Sequence, residues 1–303
     1  MGGSPDDRNS LSRNMARLTL EFKQLEQDFE ERVCHDPEFS MSEGMKPENK
    51  FKNRYRNIIP LDRMRVKLSV LPGQSDYINA SWIKLKPGDA AETKTYIASQ
   101  GPTMNTIDDF WHMVYDNCKG DKAAIVMLTP LVEELHKTGG WITKCDKYWP
   151  DLGKELNIPK ADRFQHNLRV EVTSSRKFEY FDVQNLRLVS DTHSKDITHY
   201  YLHSWVDFGI PDKEFSLRDF IKEVNEASSP DSPLIVHCSA GVGRTGTYIA
   251  LDATLSCIEE VDLEIHPKYV FDLVDEMRKQ RGFMVQKLVQ YQYIYDQLEN
   301  FRI

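Results

Sequence analysis

Cysteine is scarce and unpaired in this chain: there are five, an odd number, at no recognisable spacing. That argues against a disulfide framework and points to a reducing compartment, the cytoplasm. No cysteine–histidine cluster has the spacing of zinc ligands, so no metal is expected. No apolar run approaches the roughly 20 residues of a membrane span, and the N-terminus lacks the apolar core of a signal peptide. Positive charge is also in deficit. With 39 Lys and Arg against 47 Asp and Glu, the net charge is −8, which argues against nucleic acid as a general partner. Any phosphate site must therefore be a local positive patch on an acidic protein. What remains is a chain of 303 residues, long enough for a large core and without the composition of a disordered or fibrous protein.

The most informative stretch is Pro233-Leu-Ile-Val-His-Cys-Ser-Ala-Gly-Val-Gly-Arg-Thr-Gly-Thr-Tyr248. Leu234 to Val236 predict a short buried strand. From Thr247 onward, Ala250, Leu251, Thr254, Leu255 and Ile258 recur at helical spacing. Between them, glycines at 241, 243 and 246 predict a tight turn into a helix N-terminus, where backbone N–H groups and the helix dipole suit an anion. Cys238 stands at the entrance and Arg244 six residues later. A helix N-terminus with a nearby cation favours the reactive thiolate of a cysteine. Five intervening residues let the chain curl around a tetrahedral oxyanion, with Arg244 gripping two oxygens and Cys238 beneath the central atom.

Two other readings compete. A free cysteine at a strand end is often just a small buried hydrophobe. Gly241-Val-Gly243-Arg-Thr-Gly246 also fits G-x-G-x-x-G after a strand, with Asp262 about twenty residues on, as in a dinucleotide-binding fold. That fold needs repeated βαβ units downstream, whereas the remaining residues look mainly helical, and it leaves Cys238 and Arg244 without a role.

His-Cys-Ser-Ala-Gly-Val-Gly-Arg-Thr-Gly resembles the signature of the cysteine-based, phosphotyrosine-specific protein tyrosine phosphatases. The resemblance implies an α/β fold, a single domain with a central, highly twisted mixed β-sheet flanked by helices. It covers roughly residues 12–300, so the catalytic domain is assigned to 11–303 and residues 1–10 to a cloning remnant and disordered tail. Ser12 would cap a first helix whose apolar stripe is Leu18, Phe22, Leu25 and Phe29.

Other motifs follow in order. Residues 50–67 are strongly basic, which by composition alone is as well explained by a solvated face. Within them, Lys52-Asn-Arg-Tyr-Arg-Asn57 resembles the loop that walls the phosphotyrosine pocket; Tyr55 would stack on the substrate ring, and Asn57 stands where an acidic residue binds the peptide backbone. Asp76 to Trp82, Tyr96 to Pro102 and Ala123 to Leu128 read as strands, and Ile107 to Tyr115 as an amphipathic helix. Glu133 matches a glutamate that orients the signature arginine, and Lys144 a lysine near the general acid; residues 134–143 then look like an insertion. Leu168–Val172, Phe178–Val183 and Thr198–His203 suggest an antiparallel meander.

Trp205-Val-Asp-Phe-Gly209 resembles the mobile loop that delivers a general acid, with Asp207 as that acid, Phe208 as the other face of the ring clamp, and Val206 in place of proline. After a helix over about 268–280, Gln286 matches the glutamine that positions the hydrolytic water, Lys287 stands where threonine is common, and Gln290 joins the substrate-binding set. Phe283 occupies a gating position, and Arg278 matches a residue that can serve a second phosphate, a site that Phe283 would obstruct.

The resemblance therefore implies hydrolysis of phosphotyrosine in proteins without cofactor or metal. Cys238 would be the nucleophile, Arg244 and the backbone of Ser239, Ala240, Gly241, Val242 and Gly243 the phosphate cradle, and the Thr245 hydroxyl would steady the departing thiolate. A cytoplasmic monomer acting on phosphotyrosine-containing proteins is expected. A binding module on an inactive phosphatase fold and a dual-specificity phosphatase stay open as alternatives.

Overall fold

The computed structural model describes residues 5–86, 93–135, 139–255, 257 and 266–301. The N-terminal part contains α1 (Pro5–His35), the single turn α2 (Ser42–Met45) and strands β1 (Arg65–Lys67), β2 (Tyr77–Leu85) and β3 (Lys94–Ser99). Next come α3 (Ile107–Asn117), β4 (Lys122–Met127), a hairpin of β5 (Val132–Leu135) and β6 (Gly140–Thr143), and four strands β7 (Glu155–Ile158), β8 (Leu168–Lys177), β9 (Phe181–Ser190) and β10 (Ser194–Leu202). The chain ends with α4 (Leu217–Ala227), β11 (Leu234–His237), α5 (Gly243–Leu255), α6 (Tyr269–Gln280) and α7 (Leu288–Phe301).

Nine strands form one mixed sheet in the order β1-β2-β3-β11-β4-β10-β9-β8-β7. The pairs β3–β11, β11–β4 and β4–β10 are parallel and the rest antiparallel. Strands in the parallel centre are buried on both faces, which explains their continuous apolar runs. Leu234 and Val236 of β11 join the core beneath α1 and α4–α7, whereas Ile235 joins the core beneath α3. β4 divides in the same way, with Ala124 and Val126 on one side and Ala123 and Ile125 on the other. This period-2 alternation fixes the register, because a slip of one residue would exchange the two faces.

The α1 stripe of Leu18, Phe22, Leu25 and Phe29 is buried as expected. The helix itself begins earlier. Ser12 lies within α1 instead of capping it; residues 5–10 of the expected tail form its first turns, and residues 1–4 lie outside the described set. The strand expected over Phe178–Val183 is instead a turn followed by β9. Phe178 and Phe181 stack across that turn at 4.8 Å, so their apolar character closes a hairpin end. The presumed insertion at 134–143 forms most of the β5–β6 hairpin, apart from residues 136–138, which are not described. Nor is the basic stretch 50–67 simply a solvated face. Lys52, Arg54 and Arg65 have largely buried side chains paired with Asp109, Asp146 and Asp76. Among the described residues no helix is long and apolar enough to cross a membrane.

A polar chain runs through the core beneath the end of β11. The Cys238 carbonyl can only accept, so His237 donates to it through Nδ1 (3.1 Å). Neutral His237 must then accept at Nε2 from Tyr148 Oη (2.7 Å), and Tyr148 in turn accepts from His199 Nε2 (2.8 Å). His199 Nδ1 is left as a bare acceptor, and it has no partner among the described residues. Burial holds His237 down to about 4 and His199 down to about 3; burial, followed by the charge of Arg163, brings His112 to about 4.

These shifts carry a sign. The unfolded chain protonates each histidine near pH 6.5, while the folded chain resists until about pH 3–4. Over that window the unfolded state binds more protons, so acidification destabilises the fold by up to about 1.4 kcal/mol per pH unit for each histidine. Urea midpoints should fall from pH 7 to pH 5; a flat or rising midpoint would contradict the neutral buried network.

Candidate active site

β11 ends at His237, and the chain curls back through Cys238–Val242 into α5, which starts at Gly243 and not at Thr247. Gly246 therefore lies inside the helix, where a Cβ would sit 2.5 Å from Val285 N, so only glycine lets the loop before α7 approach this closely. Gly241 adopts φ +72°, and a Cβ there would lie 2.1 Å from Ser99 O.

Every carbonyl from 237 to 242 faces away from the curl. Leu128 N–H donates to His237 O (2.8 Å), His237 to Cys238 O, and Gly101 N–H to Ser239 O (2.9 Å). Arg281 donates to Ala240 O (3.1 Å) and Gly241 O (2.9 Å). Val242 O receives the N–H groups of Gly246 (2.9 Å) and Val285 (3.0 Å). The amides are turned the other way. Gly241 N–H donates to Cys238 Sγ (3.2 Å), and the N–H groups of Ser239, Ala240, Val242 and Gly243 reach no protein acceptor among the described residues. The result is a concave ring of donors with a sulfur at its floor, an anion cradle at a helix N-terminus.

Arg244 is buried, with three of its five N–H donors engaged. Its NH1 donates to Glu133 Oε1 (2.9 Å) and Trp205 O (2.6 Å), and its NH2 to Asp207 Oδ1 (3.1 Å). The other Asp207 oxygen accepts from Lys144 Nζ at 2.5 Å, and Lys144 lies 3.5 Å from Glu133. Burial works against the Lys144 ammonium, but its hydrogen bond to Asp207 and the surrounding charges outweigh that and raise its pKa. Tyr55 meets Ser239 Oγ (2.8 Å), which donates to Lys144 O (2.7 Å). Phe208 is half exposed on the loop that carries Asp207, and Asn57 is exposed. Thr245 is fully buried and its hydroxyl has no hydrogen-bond partner among the described residues.

Gln290 acts as a brace: its Oε1 accepts from the N–H groups of Gln286 and Lys287 (both 3.2 Å) and its Nε2 donates to Gly209 O (3.3 Å). It thereby ties Gln286 to the loop that carries Asp207. Arg278, expected near a second phosphate site, is turned to the protein's own backbone. It is buried, with Nε donating to Met284 O (3.0 Å) and NH2 to Val285 O (2.9 Å), and burial lowers its pKa to about 10. It thus clamps a stretch where Phe283 and the β-branched Val285 both have positive φ, just before Gln286. The Phe283 ring lies 5.1 Å from Phe29.

A separate cleft of about 580 Å³ lies towards the other end of β11, lined by Trp82, Lys94, Tyr96 and Asp252 among others; none of the candidate site residues lines it. The dinucleotide alternative fails on topology. No strand follows α5 among the described residues, and α6 and α7 fill that part of the chain.

With this geometry the relationships are clear. The model of the protein-tyrosine phosphatase family matches residues 49–300. Tyrosine-protein phosphatase 1 of Saccharomyces cerevisiae is 36% identical over 288 residues, covering 85% of this chain and 84% of that protein. Tyrosine-protein phosphatase 2 of Schizosaccharomyces pombe is 39% identical over 253 residues, 81% of this chain but 33% of that longer protein. A solved complex of PTPN18 with HER2-pY1248 phosphopeptides superposes with a TM-score of 0.79 at 28% identity, covering 94% of this chain and 100% of that one. The chain belongs to the protein-tyrosine phosphatase family and is an enzyme of that class.

Sequence reasoning missed two anchoring arginines. Arg281 is buried, its pKa brought down to about 10 by burial, and besides the cradle carbonyls it holds Asn79 Oδ1 (2.8 Å) and Ser81 Oγ (3.1 Å). Arg54 fixes the loop carrying Tyr55 by donating to Gly101 O (3.0 Å), Pro102 O (2.6 Å) and Asp146 (2.7 Å). Both lie among other cations in the sequence, and nothing local marks them as buried. Replacing Arg281 with Met should cost about 2 kcal/mol or more, because it leaves two cradle carbonyls and two side-chain acceptors without their donor. Chemical denaturation measures this; an unchanged midpoint would refute the anchoring role.

Proposed function

We propose that this phosphatase hydrolyses phosphotyrosine in proteins through a cysteinyl-phosphate intermediate. The observation that carries the reading is the cradle itself: Cys238 Sγ accepting from the inward-facing Gly241 amide, with Arg244 of the helix that follows bonded to Asp207. The phosphate dianion would occupy the ring of N–H groups and take up the Arg244 guanidinium, which Glu133 holds in orientation. Tyr55 and Phe208 would enclose the phenyl ring. The Cys238 thiolate attacks phosphorus in line, a sulfur–phosphorus bond forms, and the bond to the tyrosyl oxygen breaks as Asp207 gives that oxygen its proton.

Water positioned by Gln286 then attacks the cysteinyl-phosphate, with Asp207 now accepting the proton. Phosphate departs and the thiolate is restored. The unpartnered Thr245 hydroxyl, buried one residue beyond Arg244, is available to donate to that leaving sulfur. A loose phosphoryl transition state offers little covalent work to the protein, so the preorganised amides and guanidinium supply most of the stabilisation. The chemistry needs a reduced sulfur; all five cysteines are free, in keeping with a cytoplasmic setting.

Phosphotyrosine-containing proteins are the proposed substrates. Tyr55, hydrogen-bonded to Ser239, supports a pocket whose wall holds the reacting sulfur too deep for phosphoserine. Peptide assays with chelator present should show phosphotyrosine cleaved and the matched phosphoserine peptide left intact; equal rates on both would instead favour dual specificity. Cys238→Ser should abolish turnover while preserving phosphopeptide binding, and turnover by the serine variant would remove Cys238 as nucleophile. Asp207→Ala should lower the rate by about 10²–10⁴; a wild-type rate in that variant would remove the general acid.

A further inference from the structure

We infer that Lys287 is a positioning residue for the acid loop: its ammonium lies against the Phe208 ring and clasps that loop to the segment carrying Gln286. This rests on the reading of Asp207 as general acid. Lys287 Nζ is 4.7 Å from the Phe208 ring centroid, within the distance at which a cation is attracted to an aromatic face. Lys287 forms no ion pair among the described residues, so no carboxylate draws the ammonium elsewhere.

Phe208 needs such a partner. Its φ of +57° is a left-handed conformation that costs a non-glycine residue about 1–2 kcal/mol, and its side chain is half exposed. The preceding Val206 is 59% exposed and, where the resemblance expects proline, leaves φ unfixed. Neutral hydrogen bonds from Trp205 Nε1 to Gly209 O (3.0 Å), Gly209 N to Val206 O (3.3 Å) and Gln290 Nε2 to Gly209 O (3.3 Å) hold the remainder of the loop.

The other strong ties are charged: Arg244 bonds Asp207 and the Trp205 carbonyl (2.6 Å), and Lys144 bonds Asp207. A bound phosphate dianion competes for Arg244, so the first of these weakens when proton transfer is required. The Lys287–Phe208 contact is independent of Arg244 and persists. Gln290 reinforces it, accepting from the Lys287 N–H while donating to Gly209 O, so backbone and side chain of Lys287 reach the loop by separate routes.

The test uses a phosphotyrosine peptide free of acidic side chains, with kcat and KM measured for K287M, K287R, D207N and K287M/D207N. K287M should lower kcat about two- to fivefold with KM unchanged, K287R should keep the wild-type kcat, and K287M should cause no further loss once Asp207 is Asn. An unchanged kcat in K287M, an equal loss in K287R, or an undiminished loss in the D207N background would each overturn the clasp. A higher KM at constant kcat would also overturn it and place Lys287 on the substrate. D207N with wild-type kcat would instead overturn the general-acid reading on which the clasp depends, so the two failures are distinguishable.

Discussion

An anion cradle made of backbone works only if its amides face the ligand, and a peptide chain that turns its amides inward turns its carbonyls outward. Each of those carbonyls then needs a donor in a region with little water. Much of the protein around Cys238 meets that demand. Arg281 from the end of α6, Gly101 after β3, Leu128 after β4, Val285 from the glutamine loop and His237 itself each supply a hydrogen bond to the cradle's outer side. The sheet order follows the same need: β11 lies between β3 and β4, so the segments after those strands flank the cradle as it leaves β11.

Those anchors are costly. Arg278 and Arg281 are buried cations, and burial lowers the pKa of both to about 10. Lys52 is similar: burial lowers its pKa, although Asp109 is its ion-pair partner at 3.1 Å. A buried charge that stays ionised must be well hydrogen-bonded. Arg281 achieves this with four acceptors from two segments, the Cys238 loop and β2, and Arg278 with two carbonyls of one strained loop. The energetic return is positional. Arg281 shapes the ring that would bind phosphate, and Arg278 sets the backbone immediately before Gln286.

Much of the fold was legible in sequence because the central strands are apolar on both sides and the helices carry clean stripes, such as Leu18 to Phe29. The strand–turn–helix around Cys238 was legible for a different reason: its glycines occur where a Cβ could not fit, as at Gly241 and Gly246. Burial of cations was harder to read. Arg54, Lys52 and Arg281 look like solvated charges in sequence, and only tertiary partners far along the chain make them internal. The Phe178–Phe181 turn misled because two aromatics that stack across a hairpin end look locally like strand residues. Gln290 was assigned to substrate binding on resemblance, whereas its hydrogen bonds mainly join two loops, a role visible only once both loops are in place.

The contrast between the two halves of the site has a bearing on motion. Cys238 follows a strand buried on both faces and Arg244 lies in the buried first turn of α5, while Val206, Phe208 and Ile210 all expose large apolar surfaces. Amide exchange would therefore be divided sharply: the cradle is released only by opening of the central sheet, and the loop carrying Asp207 can open locally against little buried area. The loop bearing Asp207 can thus open and close many times without loosening the bed of amides around Cys238.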